Sequence, residues 1–220
     1  MNKEKILWRN NKKLILLVIA IFFYNIIFCQ QNINVSKEIK NIKSKDQKIK
    51  IQAIDKLGRA KDKQAIKPLI SSLNSEKDET TKLHILNSLG QIGDKEVVPE
   101  IKKIVKEDKS SGVRVYGCLV LGTLKDKSAV ETLKEILLDE NEDENVRVSA
   151  GSSLTFYIDE PGVMEVLEKI LKGTANRVIK LGLVNSLRNI KNKEKGKSLL
   201  KIAVEDSDEE IRNLAKELIE

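Results

Sequence analysis

Six segments of this chain align with one another at intervals of 32 or 33 residues. They are IKIQAIDKLG (49–58), TKLHILNSLG (81–90), VRVYGCLVLG (113–122), VRVSAGSSLT (146–155), IKLGLVNSLR (179–188) and IRNLAKELIE (211–220). Apolar residues fall at the ninth position of every unit and at the first and third in all but one unit each (Thr81 and Asn213), with a mostly small or aliphatic residue at the fifth. Steps of two, two and four trace a broad stripe on a helix, and the pattern runs too long for a strand. A unit of this length cannot bury its apolar face alone. Stacked units can, so the period itself predicts an elongated array in which each unit packs on its neighbours.

The second position is basic in every unit: Lys50, Lys82, Arg114, Arg147, Lys180 and Arg212. Twelve residues beyond the first five stand Asp62, Asp94, Asp126, Asp159 and Asn192, each opening a second apolar series. Asp or Asn just before a helical pattern is an N-cap, because its side-chain oxygen accepts from the first free backbone N–H groups. Gly58, Gly90 and Gly122 are expected to close the preceding helix. Each unit therefore reads as helix, short turn, helix. Val35, Ile39 and Ile42 are spaced for a half-repeat helix capping one end, and the polar last helix, with Lys216, Glu217 and Glu220, caps the other.

These residues resemble the HEAT-repeat family, in its short bacterial form named after phycobilisome lyases. Val113-Arg114, Leu121-Gly122 and Asp126 match that form's pattern closely. The resemblance covers about residues 46–220 and implies an all-α solenoid of about five and a half helical hairpin repeats. In that family the basic residue and the Asp form a ladder between helices. The resemblance therefore implies structural pairs Lys50–Asp62, Lys82–Asp94, Arg114–Asp126, Arg147–Asp159 and Lys180–Asn192. It also implies that the second helix of each unit lines the concave face. That face would present Lys67, Ser71, Glu100, Lys103, Glu131, Glu135, Glu165, Lys197 and Lys201. Its mixed charge suits a protein or peptide partner better than a single small ligand. Some relatives are bilin lyases or lyase-associated subunits, which makes an enzyme-related role the alternative. Others are iron-dependent hydroxylases, which need several His-Glu pairs that this sequence does not contain.

The net charge of +7 divides unevenly. Residues 1–35 hold five basic residues against Glu4, and most of that charge precedes the apolar run Leu14–Cys29. A basic stretch followed by an apolar run of this length is the layout of a secretory signal or an N-terminal membrane anchor. Cleavage after Cys29, retention as an anchor, and lipidation of Cys29 all fit to different degrees; lipidation fits least, since Phe28 stands where a small residue belongs. Residues 1–30 are thus read as signal peptide or anchor, 31–45 as linker and capping helix, and 46–220 as the repeat domain. The expected location is outside the cytoplasm, periplasmic or membrane-anchored. Beyond it, residues 36–125 carry 20 basic and 12 acidic residues, and 126–220 carry 15 and 20. The array is electrically polar along its length.

Sites of chemistry are few. One His, at position 84, leaves no partner for a His-based metal site or a triad. Cys118 occupies a position held by Ile54, Leu86 and Val184 elsewhere, and reads as core. The loop from Asp139 to Glu144 opens like a calcium loop but has Glu144 where Gly is required. No metal, cofactor or catalytic residue is expected. Nucleic acid is disfavoured as well, since only Tyr116, Phe156 and Tyr157 are aromatic beyond residue 30. Phe156 stands where other units have Arg59, Gln91, Thr123 and Asn189, and Ile158 stands where Lys61, Gly93, Lys125 and Lys191 do. Phe156 and Ile158 beside Pro161 form a candidate apolar contact patch. The expected function is a monomeric, non-enzymatic, protein-binding scaffold of the bacterial cell envelope.

Overall fold

A computed structural model describes residues 33–173, 175–190 and 193–219. The apolar run Leu14–Cys29 and Asn192 lie outside the described residues. Among the described residues no helix is long and apolar enough to cross a membrane.

Among the described residues twelve α-helices follow one another. They are α1 (Val35–Asn41), α2 (Gln47–Ala60), α3 (Ile66–Ser75), α4 (Glu79–Ile92), α5 (Val98–Glu107) and α6 (Ser111–Leu124). The rest are α7 (Val130–Leu138), α8 (Glu144–Leu154), α9 (Val163–Lys172), α10 (Arg177–Ser186), α11 (Lys193–Ala203) and α12 (Glu209–Ile219). The even-numbered helices from α2 carry the aligned segments and form one layer. The odd-numbered helices from α3 form the other, and α1 packs on α2 where a preceding hairpin would stand.

Local sequence explains the boundaries. Asp46, Asp78, Ser110, Asp143 and Asn176 each cap a first-layer helix by accepting a backbone N–H two or three residues on. Asp62, Asp94 and Asp126 cap short 3-10 turns that lead into α3, α5 and α7. The glycines at 58, 90 and 122 do not end their helices. Those helices run on to Ala60, Ile92 and Leu124, and the left-handed residue that closes them is Lys61 (φ 51°), Gly93 (φ 74°) or Lys125 (φ 52°).

The reason for those glycines is lateral packing. A Cβ on Gly58 would lie 2.8 Å from the Cα of Ser88 in the next first-layer helix, and one on Gly122 would lie 3.0 Å from Ser153. Ser88 donates to the carbonyl of Ile54, Ser149 to that of Val115, and Ser153 to that of Cys118. The hydroxyl of Tyr157 donates to the carbonyl of Leu121. Adjacent first-layer helices thus meet backbone to side chain. The second-layer links described here are made by long side chains, such as Lys102 on the carbonyl of Ser128 and Lys106 on Glu135. A stack with one tight and one open layer bends toward the tight one, so the first-layer helices line the inner face. This reverses the expectation that the second helices do. The apolar core lies between the layers, with Leu57, Ile66, Leu69, Ile85, Leu89, Ile101, Leu121 and Leu133 fully buried.

Candidate protein-binding face

Two sets of ion pairs frame the hairpins, and neither is the set expected. A base at the second position and an Asp twelve residues on stand near opposite ends of one helix, about 18 Å apart at 1.5 Å per residue. They cannot meet. Lys50 instead reaches Glu76 at 2.9 Å, Lys82 reaches Asp108 at 2.6 Å and Lys180 reaches Asp206 at 2.8 Å. Arg114 grips Glu142 through both Nε and Nη2 and also donates to the carbonyl of Asp108. Arg147 donates to the carbonyl of Leu137. Lys50, Lys82, Arg114 and Lys180 therefore tie the start of a first helix to the end of the second, across the open end of their own hairpin, whereas Arg147 reaches back to the preceding one.

The aspartates serve the opposite edge. Besides capping, Asp94 pairs with Lys63 of the preceding hairpin at 2.7 Å and Asp126 lies 3.9 Å from Lys95. Glu160 takes over from Asp159 in the next step, pairing with Lys127 at 2.9 Å, while Asp159 pairs with Lys195. Asp62 accepts the backbone N–H of Gln64.

Burial shapes the charges at the open ends. Burial alone would raise the Glu76 carboxyl, but hydrogen bonds from Lys50 and from the backbone N–H groups of Asp78 and Lys77 outweigh it and hold Glu76 below its ordinary value. Asp206 is lowered on the same balance, with Lys180 as its side-chain partner. Cys118 is fully buried, and burial pushes its thiol up to about 12, which keeps the nucleophilic thiolate away. His84 pairs with Asp55 at 2.8 Å between neighbouring first-layer helices. Among the described residues no group of His, Cys, Asp and Glu is arranged to hold a metal ion.

The inner face is the part of the molecule left for a partner. On a first-layer helix the fifth and ninth positions point to the second layer, so the fourth, seventh and eleventh point away from it. In α4, α6 and α8 these are His84, Asn87 and Gln91; Tyr116, Leu119 and Thr123; and Ser152 and Phe156, with Ser149 buried against α6. In α10 they continue with Gly182 and Asn185. None is Lys, Arg, Asp or Glu, although a third of the whole chain is charged. Leu119 is 41% exposed and Phe156 51%. Tyr116, whose hydroxyl donates to Asn87, joins Gly90, Val120 and Leu119 in lining a groove of about 290 Å³ between α4 and α6. Phe156 leans over Gly122, with the Lys125 ammonium 5.7 Å from its ring centre.

The candidate patch therefore splits. Phe156 is exposed, but Ile158 is 3% exposed, folded under the longer turn that ends at Gly162. Lys67, Lys103, Glu135, Lys197 and Lys201 are exposed as expected, but on second-layer helices and hence on the outer side. Leu119 went unremarked in the sequence, though its position was legible. It alone is a large aliphatic at the seventh position, where Asp55, Asn87, Ser152, Asn185 and Glu217 stand elsewhere.

A helical-hairpin solenoid with repeating inter-hairpin ion pairs is an array of HEAT type. A family model for HEAT repeats matches residues 37–115 and 100–188, and the chain belongs to this family. No curated protein matched the chain in sequence. Among solved structures, the complex of CpcE and CpcF of phycocyanin lyase from Nostoc sp. PCC7120 is similar, at 18% identity and a TM-score of 0.47, with 86% of this chain and 94% of that one covered. Human deoxyhypusine hydroxylase, in complex with glycerol, is similar at 17% identity and a TM-score of 0.39, with 84% and 83% covered.

Proposed function

We propose that this protein is a non-enzymatic scaffold that holds another protein against the inner face of its solenoid. One observation carries the reading: a run of inner-face positions without charge, from His84 to Asn185, with Leu119 and Phe156 exposed on it. Exposed apolar side chains grouped on one face and rimmed by polar ones mark protein contact surfaces. The repeated ion pairs sit at the edges and serve the stack, so they leave this face free for recognition. The basic residues and apolar run within residues 1–30 support placing the scaffold in the bacterial cell envelope, exported or membrane-tethered.

Site-specific photocrosslinking in living cells tests this. A benzophenone side chain at position 119 is expected to capture a protein partner, and one at Lys103, on the outer side, is not. Capture only from Lys103, or a tightly held chromophore in the purified chain, would sink the scaffold reading. The second outcome would favour the alternative of a lyase-type HEAT-repeat subunit.

A further inference from the structure

The ends of α1 and α3 and the start of α2 enclose a cavity of about 510 Å³ at the first end of the array. Ile42 and Pro68 give it an apolar wall. Lys43, Lys45 and Lys50 bring ammonium groups to it, and Ser44, Ser71 and Ser72 bring hydroxyls. Its one acid, Glu76, is held by Lys50 and by the backbone N–H groups of Lys77 and Asp78. Among the described residues no ion pair includes Lys43 or Lys45. The Ser44 hydroxyl accepts the backbone N–H of Asp46, which leaves its own proton to donate.

The surroundings share the positive sign. Residues 33–50 hold six lysines and two acids. Of the acids, Glu38 is buried and pairs with Lys56, and Asp46 caps α2. A groove of about 580 Å³ occupies the equivalent place between α9 and α11, with different chemistry. Lys201, Ile202 and Glu205 stand there in the same register from Lys180 as Ser71, Ser72 and Ser75 from Lys50, and Asp206 adds a second acid.

We infer that the cavity at the first end binds a phosphate monoester, held by Lys43, Lys45 and the hydroxyls of Ser44, Ser71 and Ser72. A phosphate monoester offers three terminal oxygens and a charge approaching about −2 near neutrality, which suits that many donors better than the two oxygens of a carboxylate. Ammonium groups supply compact charge to phosphate, and the hydroxyls direct its orientation. The apolar wall leaves room for the carbon skeleton that carries the phosphate. The cavity shares no residue with the inner face, so this site stands apart from the scaffold reading.

Calorimetric titration of the full chain, held in neutral detergent, with glycerol 3-phosphate tests this, with glycerate as the carboxylate counterpart. Saturable binding of the phosphate is expected, with glycerate at least about tenfold weaker. Lys43→Gln with Lys45→Gln should weaken the phosphate at least about tenfold, and Ser71→Ala with Ser72→Ala should weaken it severalfold. Lys37→Gln with Lys40→Gln removes the same charge from exposed positions outside the cavity and should change binding less than about twofold. Circular dichroism confirms that the variants stay folded.

Vesicles of phosphatidylcholine, with and without phosphatidic acid, separate two sources of the same group. A gain in binding from phosphatidic acid that is lost in the Lys43 and Lys45 variant assigns a lipid headgroup. Saturable glycerol 3-phosphate binding without that gain assigns a soluble ester, and either result upholds the site. Equal losses in the two lysine variants with none in the serine variant would show diffuse attraction to a basic end and overturn the inference. So would glycerate binding as tightly as the phosphate, or no saturable binding in either arm.

Discussion

Glycine in this solenoid has two different jobs, and single substitutions separate them. At Gly58 a Cβ would press on the backbone of Ser88 at 2.8 Å, where no side-chain rotation relieves it. Gly58→Ala should therefore cost about 1–3 kcal/mol, the range for overpacked sites. At Gly90 the same Cβ would meet only the methyls of Val120, at 3.5 and 3.6 Å, an ordinary contact. Gly90→Ala is expected to stabilise by about 0.5–1 kcal/mol, since the helix interior favours Ala. Urea unfolding of the two variants reads the contrast directly, and equal signs would refute the close approach of α2 and α4. The sequence places Gly58, Gly90 and Gly122 at one repeat position, which invites a common explanation as helix ends. The left-handed closing residue is instead three places on, and in two cases it is a lysine. Lys125→Gly should thus gain up to about 1 kcal/mol by relieving a positive φ.

At the scale of the element, the hairpin is legible in the sequence but its partners are not. The capping aspartates and the alternating apolar series mark where helices begin, because capping is a local interaction within two or three residues. Ion pairing is not local. The bases at the second position find Glu76, Asp108, Glu142 and Asp206, which lie 26 or 28 residues on and become neighbours only when the hairpin closes. Helix length alone excludes the twelve-residue pairing, yet choosing the right acid requires the turn. These part-buried pairs make stability depend on pH in a defined direction. Glu76 and Asp206 are lowered in the folded chain, so folding favours their ionised forms. Their contribution is complete above the ordinary carboxylate range and is lost as pH falls through the lowered folded values. Thermal unfolding followed by circular dichroism should show Tm constant near neutrality and falling steeply below about pH 4. Glu76→Gln with Asp206→Asn should lower Tm at pH 7 and flatten that fall. An unchanged pH profile would mean that the pairs across the open ends contribute nothing to folding.

At the scale of the whole molecule, a chain that is one-third charged leaves the inner-face positions of α4, α6, α8 and α10 from His84 to Asn185 without charge. Composition could not reveal it, because only the stacking decides which repeat positions look inward. The same stacking sets how stability is distributed. In an array each hairpin touches only its neighbours, so stability is a sum of local units and interfaces. Helices α4, α6 and α8 each have a first-layer neighbour on both sides, whereas α2 and α12 have one, and α1 packs on α2 and the turn at Lys63–Ala65 at the end of the array. Amide hydrogen exchange should therefore be slowest in α4 to α8 and fastest in α1 and α12. Leu121 is fully buried in α6, and Leu121→Ala is expected to lower protection there by about 2–5 kcal/mol. Protection in α4 and α8, which share interfaces with α6, should fall with it, and α1 and α12 should exchange as before. A uniform loss along the chain would show instead that the array opens as one cooperative unit, its interfaces strong relative to the hairpins they join.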